Sequence, residues 1–348
     1  MSDQKTIRIG FIGAGGIARK QHLPRLREMD DAVVQVVSNR TEASSREVAE
    51  EYDIPEVETD WQRLVERDDI DAVFIGTWPY THKAMSIAAL EAGKHVFCQS
   101  RMAMDLAEAK AMVAAAERHA RQVAMLCPPP HRMPWEPYIR QLIDGGELGE
   151  LREVRVTAVN GANLGKLTWR ERIEFSGKQM LQVGIWAETL NAWLGEYATL
   201  HARFATPLAT KRDEQGQTHD IQIPQSVLVH GRLTNGAAIS EHHTGVSPHE
   251  NENFVSIYGS KGTLRVDVMQ AIRFAAVGEP LKPIDVPADL QRPWRVERDF
   301  LDAVHAARRD EPWQVSTDFH EGQRYMAKIE ALHRSQDTGL AVAPADLV

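Results

Sequence analysis

The sequence is poor in the features that mark several large functional classes. It has two cysteines among 348 residues, Cys98 and Cys127, each at the end of an apolar run, so a disulfide framework is excluded. Its 40 Lys and Arg residues are outnumbered by 49 Asp and Glu and form no stripe, which argues against nucleic acid or anionic membrane as partners. No stretch approaches the length of a membrane span, and "MSDQKTIRIGFIG" contains no apolar signal core. We therefore expect a cytoplasmic protein with a small-molecule ligand.

The first third of the chain alternates short apolar runs with helical patterns. "TIRIGFIG", "AVVQVVSNR" and "AVFIGT" are typical of buried strands, and "EASSREVAEEYD" is typical of a helix. This alternation predicts βαβ units and a doubly wound parallel sheet. After the proline-rich "PPPHRMPWEPYI", several β-like runs follow without intervening helices, which predicts a mainly antiparallel open sheet. The predicted fold is α/β, with an N-terminal domain over residues 1–127 and an α+β domain over residues 128–348.

A glycine-rich loop follows the first predicted strand and opens the first predicted helix. The pattern is G-x-G-x-x-A, in which Gly13 makes the tight turn, Gly15 lets the backbone approach a pyrophosphate, and Ala18 allows close helix–strand packing. A helix N-terminus also offers N–H groups to phosphates. This context favours a dinucleotide-binding Rossmann domain over a purely structural turn. The candidate loop residues are Gly13, Ala14, Gly15, Gly16, Ile17 and Ala18.

The end of the second predicted strand indicates which dinucleotide binds. An enzyme that uses NAD is expected to carry an acid there, which accepts hydrogen bonds from the ribose hydroxyls. This chain has Ser38, Asn39 and Arg40 instead, with no acid before Glu42. Arg40 can pair with a 2′-phosphate, and Ser38 or Thr41 can donate to it. The sequence favours NADP(H) over NAD(H); the alternative is a solvent-exposed arginine.

With these motifs in hand, the chain resembles the Gfo/Idh/MocA family, the relatives of glucose-fructose oxidoreductase and inositol dehydrogenase. The resemblance runs nearly end to end and is carried by "IGFIGAGGIA", "HKAMSIAALEAGKHVFC", "LIDGGELGELREVRV" and "IYGSKGTLRV". It implies oxidation or reduction of a hydroxyl or carbonyl group on a sugar, a cyclitol or a related small molecule with NAD or NADP. It also implies a homodimer or homotetramer formed through the sheet of the second domain.

The resemblance further implies two catalytic segments, and both are altered here. The Glu-Lys-Pro triplet of the family falls on Gln99, Ser100 and Arg101, while its catalytic Asp and His fall on Gln182 and Trp186. Gln and Trp do not titrate, Arg101 stays protonated, and Ser100 has no base of its own. Hydride transfer to or from a carbinol needs a group that handles the hydroxyl proton. The sequence therefore predicts a proton-transfer site rebuilt from other residues.

Three residues are candidates for that proton transfer: Lys178, His131 and His243. Lys178 either has a pKa lowered by burial or is a solvated lysine at a helix start. His243 lies in "SEHHTGVSPHENEN", whose His and Glu residues lack firm ligand spacing, so no metal is expected. The candidate substrate-binding residues are Arg101, Arg132, Trp135, Arg170, Gln179, Gln182 and Trp186. The further candidate cofactor contacts are Thr77, Trp78, His82, Gln99 and Ser100.

Some of these assignments carry alternatives. Gln179, Gln182 and Trp186 are expected on one helix face, where Trp186 either stacks on a ligand or fills volume. His82 either contacts the cofactor or caps the following helix. The leading interpretation of the whole chain is an NADP(H)-dependent oxidoreductase with an atypical site. The rivals are a lyase, isomerase or hydrolase that retains the cofactor, and a non-catalytic ligand sensor.

Overall fold

The computed structural model of the chain describes residues 6–132 and 134–348. The chain folds into two compact units. The first comprises the residues up to Pro128 together with 295–323, and the second comprises 129–294 together with 324–348. The predicted boundary after Cys127 lies one residue before the end of the first segment. The return of the chain to the first unit was not anticipated from the sequence.

The first unit is built on a parallel sheet of six strands in the order β3-β2-β1-β4-β5-β6. The strands are β1 (Ile7–Ile12), β2 (Ala32–Ser38), β3 (Glu56–Val57), β4 (Ala72–Ile75), β5 (His95–Cys98) and β6 (Ala124–Leu126). The strand β4 is buried along its whole length, and β1 and β5 are buried except at Arg8 and His95, which explains their largely apolar sequences. The predicted doubly wound parallel sheet is confirmed.

The helices connect these strands and cover the sheets. They are α1 (Leu23–Arg27), α2 (Glu42–Tyr52), α3 (Trp61–Val65), α4 (Pro79–Glu91), α5 (Leu106–Arg118), α6 (Glu136–Asp144), α7 (Ile173–Ser176), α8 (Val183–Leu194), α9 (Val296–Arg308) and α10 (Phe319–Thr338). A π-helical turn over Ala18–His22 leads into α1. Within the described ranges, no helix has both the length and the apolar character that crossing a membrane requires.

Aromatic packing explains why α9 belongs to the first unit. Phe300 is fully buried, and its ring meets Phe74 of β4 edge-on with centroids 5.2 Å apart. Phe74 in turn stacks on Phe97 of β5 at 4.5 Å. Arg298 forms two hydrogen bonds with Asp31 just before β2. Buried aromatic clusters of this kind contribute more than their area alone, so α9 covers the sheet although it is distant in sequence.

The second unit is built on an eight-stranded sheet in the order β16-β15-β14-β13-β7-β12-β11-β8. Neighbouring strands are antiparallel except β7 and β12. The strands are β7 (Leu151–Asn160), β8 (Tyr197–Ala205), β9 (Thr210–Arg212), β10 (Thr218–Asp220), β11 (Ser226–Leu233), β12 (Ala238–Thr244), β13 (Asn251–Gly259), β14 (Gly262–Asp267), β15 (Ala271–Ala276) and β16 (Lys282–Ile284). The predicted mainly antiparallel sheet is confirmed, and β9 and β10 form a separate ribbon.

The helix α8 begins later than its sequence pattern suggests. Leu181 has a φ of 43°, in the left-handed region, and regular helix starts only at Val183. Gln182 is therefore the N-cap residue, and Gln179 lies outside the helix. The expectation that Gln179 shares a helix face with Gln182 and Trp186 is wrong for this reason.

Candidate functional site

The glycine loop after β1 has no room for a side chain at Gly13 but has open space at Gly15 and Gly16. Gly13 has a φ of 80°, and a Cβ built on it would lie 2.5 Å from Thr77 Cγ2 and 2.7 Å from Thr77 N. Its N–H donates to the carbonyl of Ser38 at 2.8 Å. A Cβ on Gly15 or Gly16 would meet no atom within 4 Å. The loop therefore presents an open cradle at Gly15 and Gly16.

A cavity of about 720 Å³ opens against this loop, within the first unit. Its volume is in the range of small-molecule and cofactor sites. The lining residues are Gly13, Ala14, Gly15, Gly16, Arg19, Lys20, Asn39, Arg40, Thr41, Ser44, Glu51, Tyr52, Gly76, Thr77, Trp78 and Tyr80. Eight of the residues predicted to contact the cofactor are among them, and Ile17, Ala18, Ser38, His82, Gln99 and Ser100 are not. Sequence reasoning missed Arg19, Lys20 and Tyr52. Arg19 and Lys20 follow the glycine loop directly and Tyr52 ends α2, so their sequence positions could have indicated that they lie near the loop.

The end of β2 is tied to the glycine loop through Asn39. Its Oδ1 accepts from the N–H of Ala14 at 2.7 Å, and its Nδ2 donates to the carbonyl of Ser44 at 3.1 Å. Arg40 is exposed at the cavity and forms no ion pair with any described residue. Arg19, by contrast, is paired with Glu47 and Glu51. Arg40 is thus a lining cation whose charge is not already neutralised by a carboxylate of the described chain.

His82 holds two loops together at the carboxyl ends of the strands. It is fully buried in the first turn of α4, with Nδ1 2.9 Å from the carbonyl oxygen of Arg101 and Nε2 3.0 Å from that of Thr77. Burial lowers the pKa of His82, while these carbonyls favour the protonated ring. The geometry speaks against both roles weighed from the sequence, because the ring is enclosed and neither caps α4 nor reaches the cavity.

The segment at the end of β5 is anchored by a histidine that sequence reasoning did not single out. His22 Nε2 lies 2.9 Å from Oε1 of Gln99, and His22 Nδ1 lies 2.6 Å from Oε1 of Glu297 in α9. The next peptide bond, between Ser100 and Arg101, is cis. The side-chain oxygen of Gln99 is therefore engaged in a part-buried contact within the first unit.

A polar cluster in the second unit joins His131, Gln182, Asn253 and Trp186. Gln182 Oε1 lies 3.1 Å from His131 Nε2 and 3.0 Å from Asn253 Nδ2. The indole N–H of Trp186 donates to Asn253 Oδ1 at 3.0 Å, and the His131 ring meets the indole edge-on at 5.1 Å. Trp186 is fully buried and hydrogen-bonded, so it is a structural member of the cluster as well as a packed side chain. Asn253 was not recognised from the sequence.

Burial lowers the pKa of His131 to about 4. The hydrogen bond with Gln182 opposes this shift, and the proximity of His243 adds to it. Nδ1 of His131 is buried and bonds to no described residue. At neutral pH His131 is therefore an uncharged imidazole whose Nε2 lies within hydrogen-bond distance of both Gln182 Oε1 and Asn253 Nδ2.

A fully buried charge cluster contains His243. Its Nε2 lies 2.8 Å from Glu241, whose carboxylate accepts from the ammonium of Lys328 at 2.7 and 2.8 Å. Lys328 also donates to the hydroxyl of Tyr197 at 2.9 Å. Burial alone would raise the pKa of Glu241, but Lys328 and His243 hold it at about 2. Nε2 of His243 is engaged with Glu241. The catalytic role of His243 stays a prediction.

The other predicted site residues of the second unit lie in separate surroundings. The ammonium of Lys178 pairs with Glu330 at 2.7 Å and is part-exposed, so it does not join the His131 cluster. The geometry speaks against the anion clamp predicted for Arg132, because its guanidinium is paired with Glu136 and lies 3.7 Å from Glu188. Gln179 is buried beside Met326, Arg170 lies over the Trp169 ring, and Trp135 precedes α6. Among the described residues no His, Cys, Asp and Glu side chains group as a metal site.

Comparison with known proteins identifies the family to which this architecture belongs. A model described as an oxidoreductase family with an NAD-binding Rossmann fold matches residues 7–126, and the GFO/IDH/MocA C-terminal domain matches residues 138–265. The chain belongs to the Gfo/Idh/MocA family. The family assignment confirms the resemblance seen in the sequence motifs and makes the chain a member of a family of NAD-binding oxidoreductases. The match to an NAD-binding Rossmann fold supports a nicotinamide dinucleotide as the cofactor class.

Several relatives of the chain are named as sugar or cyclitol enzymes. A dTDP-3,4-didehydro-2,6-dideoxy-alpha-D-glucose 3-reductase of Saccharopolyspora spinosa is 28% identical over 272 residues, which cover 76% of this chain and 75% of the relative. A myo-inositol 2-dehydrogenase of Thermotoga maritima is 25% identical over 263 residues, 75% of each chain. The structure of a levoglucosan dehydrogenase in complex with NADH and L-sorbose has a TM-score of 0.87 at 20% identity and covers 97% of this chain and 98% of its own.

Proposed function

We propose that this protein is an NADP(H)-dependent oxidoreductase that interconverts a hydroxyl and a carbonyl group on a small polyhydroxylated compound such as a sugar or cyclitol. The observation that carries the proposal is the cavity of the first unit, with its open glycine cradle and the exposed Arg40. The substrate class rests on the relatives named above, which act on a deoxysugar nucleotide and on inositol.

The cradle fits the pyrophosphate of a dinucleotide. A side chain at Gly15 or Gly16 would project into space that no protein atom occupies, and glycine at such a position lets a phosphate approach the backbone. The first N–H groups of a helical segment lack intrahelical partners, and the segment from Ala18 to Arg27 begins at this loop. Bound there, the cofactor supplies the acceptor or donor of a hydride.

The preference for NADP(H) rests on charge at the end of β2. Arg40 lines the cavity without an ion-pair partner among the described residues, and no carboxylate stands at the strand end to repel a 2′-phosphate. Thr41 contributes less than the sequence suggested, because its hydroxyl caps α2 and bonds Ser44. A guanidinium–phosphate pair would account for discrimination between the two dinucleotides.

Turnover of a substrate panel tests the proposal. The full-length protein is incubated with NADP⁺ or NAD⁺ and a panel of sugars and cyclitols, and the reduced-nicotinamide absorbance band is followed together with substrate consumption. A rise in absorbance with NADP⁺ supports the proposal. Substrate consumed without net absorbance change indicates non-redox chemistry, and binding without consumption indicates a sensor; either result contradicts it.

Arg40→Ala tests the cofactor preference. Because a hydrogen bond to a charged group contributes about 1.5–3 kcal/mol, the variant is expected to bind NADPH about 10- to 100-fold more weakly. Its affinity for NADH should change little, as NADH lacks the 2′-phosphate. The matched control is Arg46→Ala, an exposed arginine of α2 that pairs with Glu42. Equal losses for both dinucleotides would contradict the assignment of Arg40.

The remaining assignments stay predictions. They are the substrate contacts of Arg101, Trp135, Arg170, Gln182 and Trp186, the cytoplasmic location, and the homo-oligomer formed through the sheet of the second unit.

A further inference from the structure

The cations that line the cavity of the first unit differ in whether a carboxylate already compensates their charge. Arg19, Lys20 and Arg40 line the cavity, and Glu51 is the single carboxylate among its described lining residues. Glu51 pairs with Arg19, which also pairs with Glu47. The charge of Arg19 is therefore compensated within the protein, while Lys20 and Arg40 form no ion pair with any described residue.

The sequence around Lys20 offers it no acidic neighbour. Residues 4–27 contain no Asp or Glu, so no carboxylate stands at the spacing of three or four residues at which a helical lysine forms ion pairs. Lys20 is also exposed. It therefore lines the cavity without a counter-charge from the described chain.

The backbone fixes Lys20 beside the glycine cradle. Arg19, the residue before it, donates its N–H to the carbonyl of Gly15 at 2.9 Å. The carbonyl of Arg19 accepts from the hydroxyl of Tyr52 at 2.6 Å. Lys20 itself belongs to the π-helical turn Ala18–His22, a rare conformation that is frequent at functional sites. Because the Cα–Cβ bonds of a right-handed helix tilt toward its N-terminus, the stem of Lys20 tilts toward the cradle.

The cradle itself offers only backbone groups to a pyrophosphate. Gly15 and Gly16 have no side chain, and the N–H of Ala14 is already engaged by Oδ1 of Asn39 at 2.7 Å. Each phosphate of a pyrophosphate linkage carries a negative charge, and a hydrogen bond between charged groups is shorter and stronger than one between neutral groups. Lys20 is the uncompensated cation that follows the cradle most closely along the described chain.

We propose that Lys20 binds the pyrophosphate of the dinucleotide, so that Lys20 and Arg40 each bind a different phosphate. This inference rests on the proposed function. Arg40 follows the end of β2, where this fold places the adenosine ribose, whereas Lys20 follows the loop on which the fold places the pyrophosphate. Lys20 then sets the affinity for both dinucleotides, and Arg40 distinguishes between them.

Affinity measurements with NADPH and NADH test this assignment without turnover. Full-length protein is titrated with each dinucleotide, and binding is followed by the fluorescence of the reduced nicotinamide. Lys20→Gln should weaken the binding of both by the same factor, about 5- to 50-fold, because a charge-assisted hydrogen bond is lost. Lys20→Arg should keep most of the affinity. The matched control is Lys110→Gln, an exposed lysine of α5 in the same unit, which should change neither affinity.

The salt dependence of binding separates an ion pair from a packing contact. Interactions between exposed charges are screened as the ionic strength rises. The affinity of the wild-type protein for NADH should therefore fall more steeply with salt than that of Lys20→Gln, and the two affinities should converge at high salt. Parallel salt dependences would contradict a contact between Lys20 and the pyrophosphate.

The double variant Lys20→Gln/Arg40→Ala shows whether the two cations bind the same phosphate. If they bind different phosphates, the two fold-losses in NADPH affinity should multiply, because independent sites contribute additively to the free energy. For NADH, the double variant should match Lys20→Gln. A loss confined to NADPH in Lys20→Gln, or losses that do not multiply, would assign both cations to the 2′-phosphate and overturn the inference.

The two proposals fail in different ways. If the wild-type protein binds both dinucleotides but reduces no NADP⁺ with any compound, the proposed function fails, and the affinities still decide the role of Lys20. If the wild-type protein turns over while Lys20→Gln keeps its affinity for NADPH and NADH, the function stands and the role of Lys20 is overturned. If the wild-type protein binds neither dinucleotide, both proposals are overturned.

Discussion

The glycine loop of the first unit and the His131 cluster of the second unit are built in opposite ways. The loop is one contiguous run, Gly13 to Ala18, whose proposed function depends on backbone shape and on the absence of side chains at its glycines. The cluster gathers side chains from three segments that are 51 and 71 residues apart in sequence. The first kind of site is legible as a motif, while the second becomes visible only when the fold brings its residues together. Each prediction below perturbs one side of this contrast.

The largest effect is expected from breaking the buried ion pair behind the cluster. Lys328→Met leaves the carboxylate of Glu241 without its ammonium in a fully buried place. Such a loss should cost about 3 to 5 kcal/mol in the free energy of unfolding. Denaturant titration followed by tryptophan fluorescence measures it, with the exposed Lys166→Met as the control. A loss no larger than that of the control would mean that Glu241 is not held as an anion.

The next prediction is that alanine at Gly13 and alanine at Gly15 have different effects on stability and on cofactor affinity. Gly13→Ala forces a φ of 80° on a residue with a side chain and brings its Cβ against Thr77, so it should destabilise the protein by about 1 to 3 kcal/mol. Gly15→Ala meets no protein atom and should leave stability within about 0.5 kcal/mol. It should nevertheless weaken NADP(H) binding about 10- to 100-fold, or about 1.4 to 2.8 kcal/mol, because the methyl group occupies the cradle.

Thermal unfolding and a fluorescence titration with NADP(H) distinguish the two variants. The opposite pattern, a stable Gly13→Ala or a Gly15→Ala with full affinity, would contradict the cradle.

Local pattern predicted most of the fold, because apolar periodicity and strand–helix alternation are properties of short windows. It did not predict the return of α9, since Phe300 meets Phe74 across more than two hundred residues. It also left open whether Lys178 is buried or solvated, and the structure shows a part-exposed residue that pairs with Glu330, 152 residues further on. Arg132 is different: its partner Glu136 follows four residues later, so the sequence did display that pairing.

The candidate site divides along the same line. Eight predicted cofactor contacts line the cavity because the loop, the end of β2 and the end of β4 each act through residues adjacent in sequence. His131 was a candidate only as one histidine among several. What distinguishes it, the fixed amide of Asn253 and the shared oxygen of Gln182, depends on long-range hydrogen bonds that no spacing reveals.

The last prediction compares two histidines, one in each unit, whose pKa values are lowered by burial. Burial lowers the pKa of both His95, on β5, and His131 to about 4. Between that value and the unfolded value of about 6.5, the unfolded chain binds a proton that the folded chain does not, so stability falls as the pH falls through this window. Each histidine contributes a slope of at most about 1.4 kcal/mol per pH unit.

Removing one of the two histidines isolates its share of that slope. In His131→Asn, the free energy of unfolding should fall less steeply as the pH is lowered, because only the contribution of His95 remains. Nδ1 of His95 accepts from the N–H of Val123 at 2.9 Å. The free energy of unfolding is measured at pH 7, 6 and 5 for both proteins. An identical slope in the variant would show that folding does not lower the pKa of His131. The His131 ring would then not be buried as an uncharged group, and the contrast between a loop built from backbone and a cluster built around one buried ring would fail.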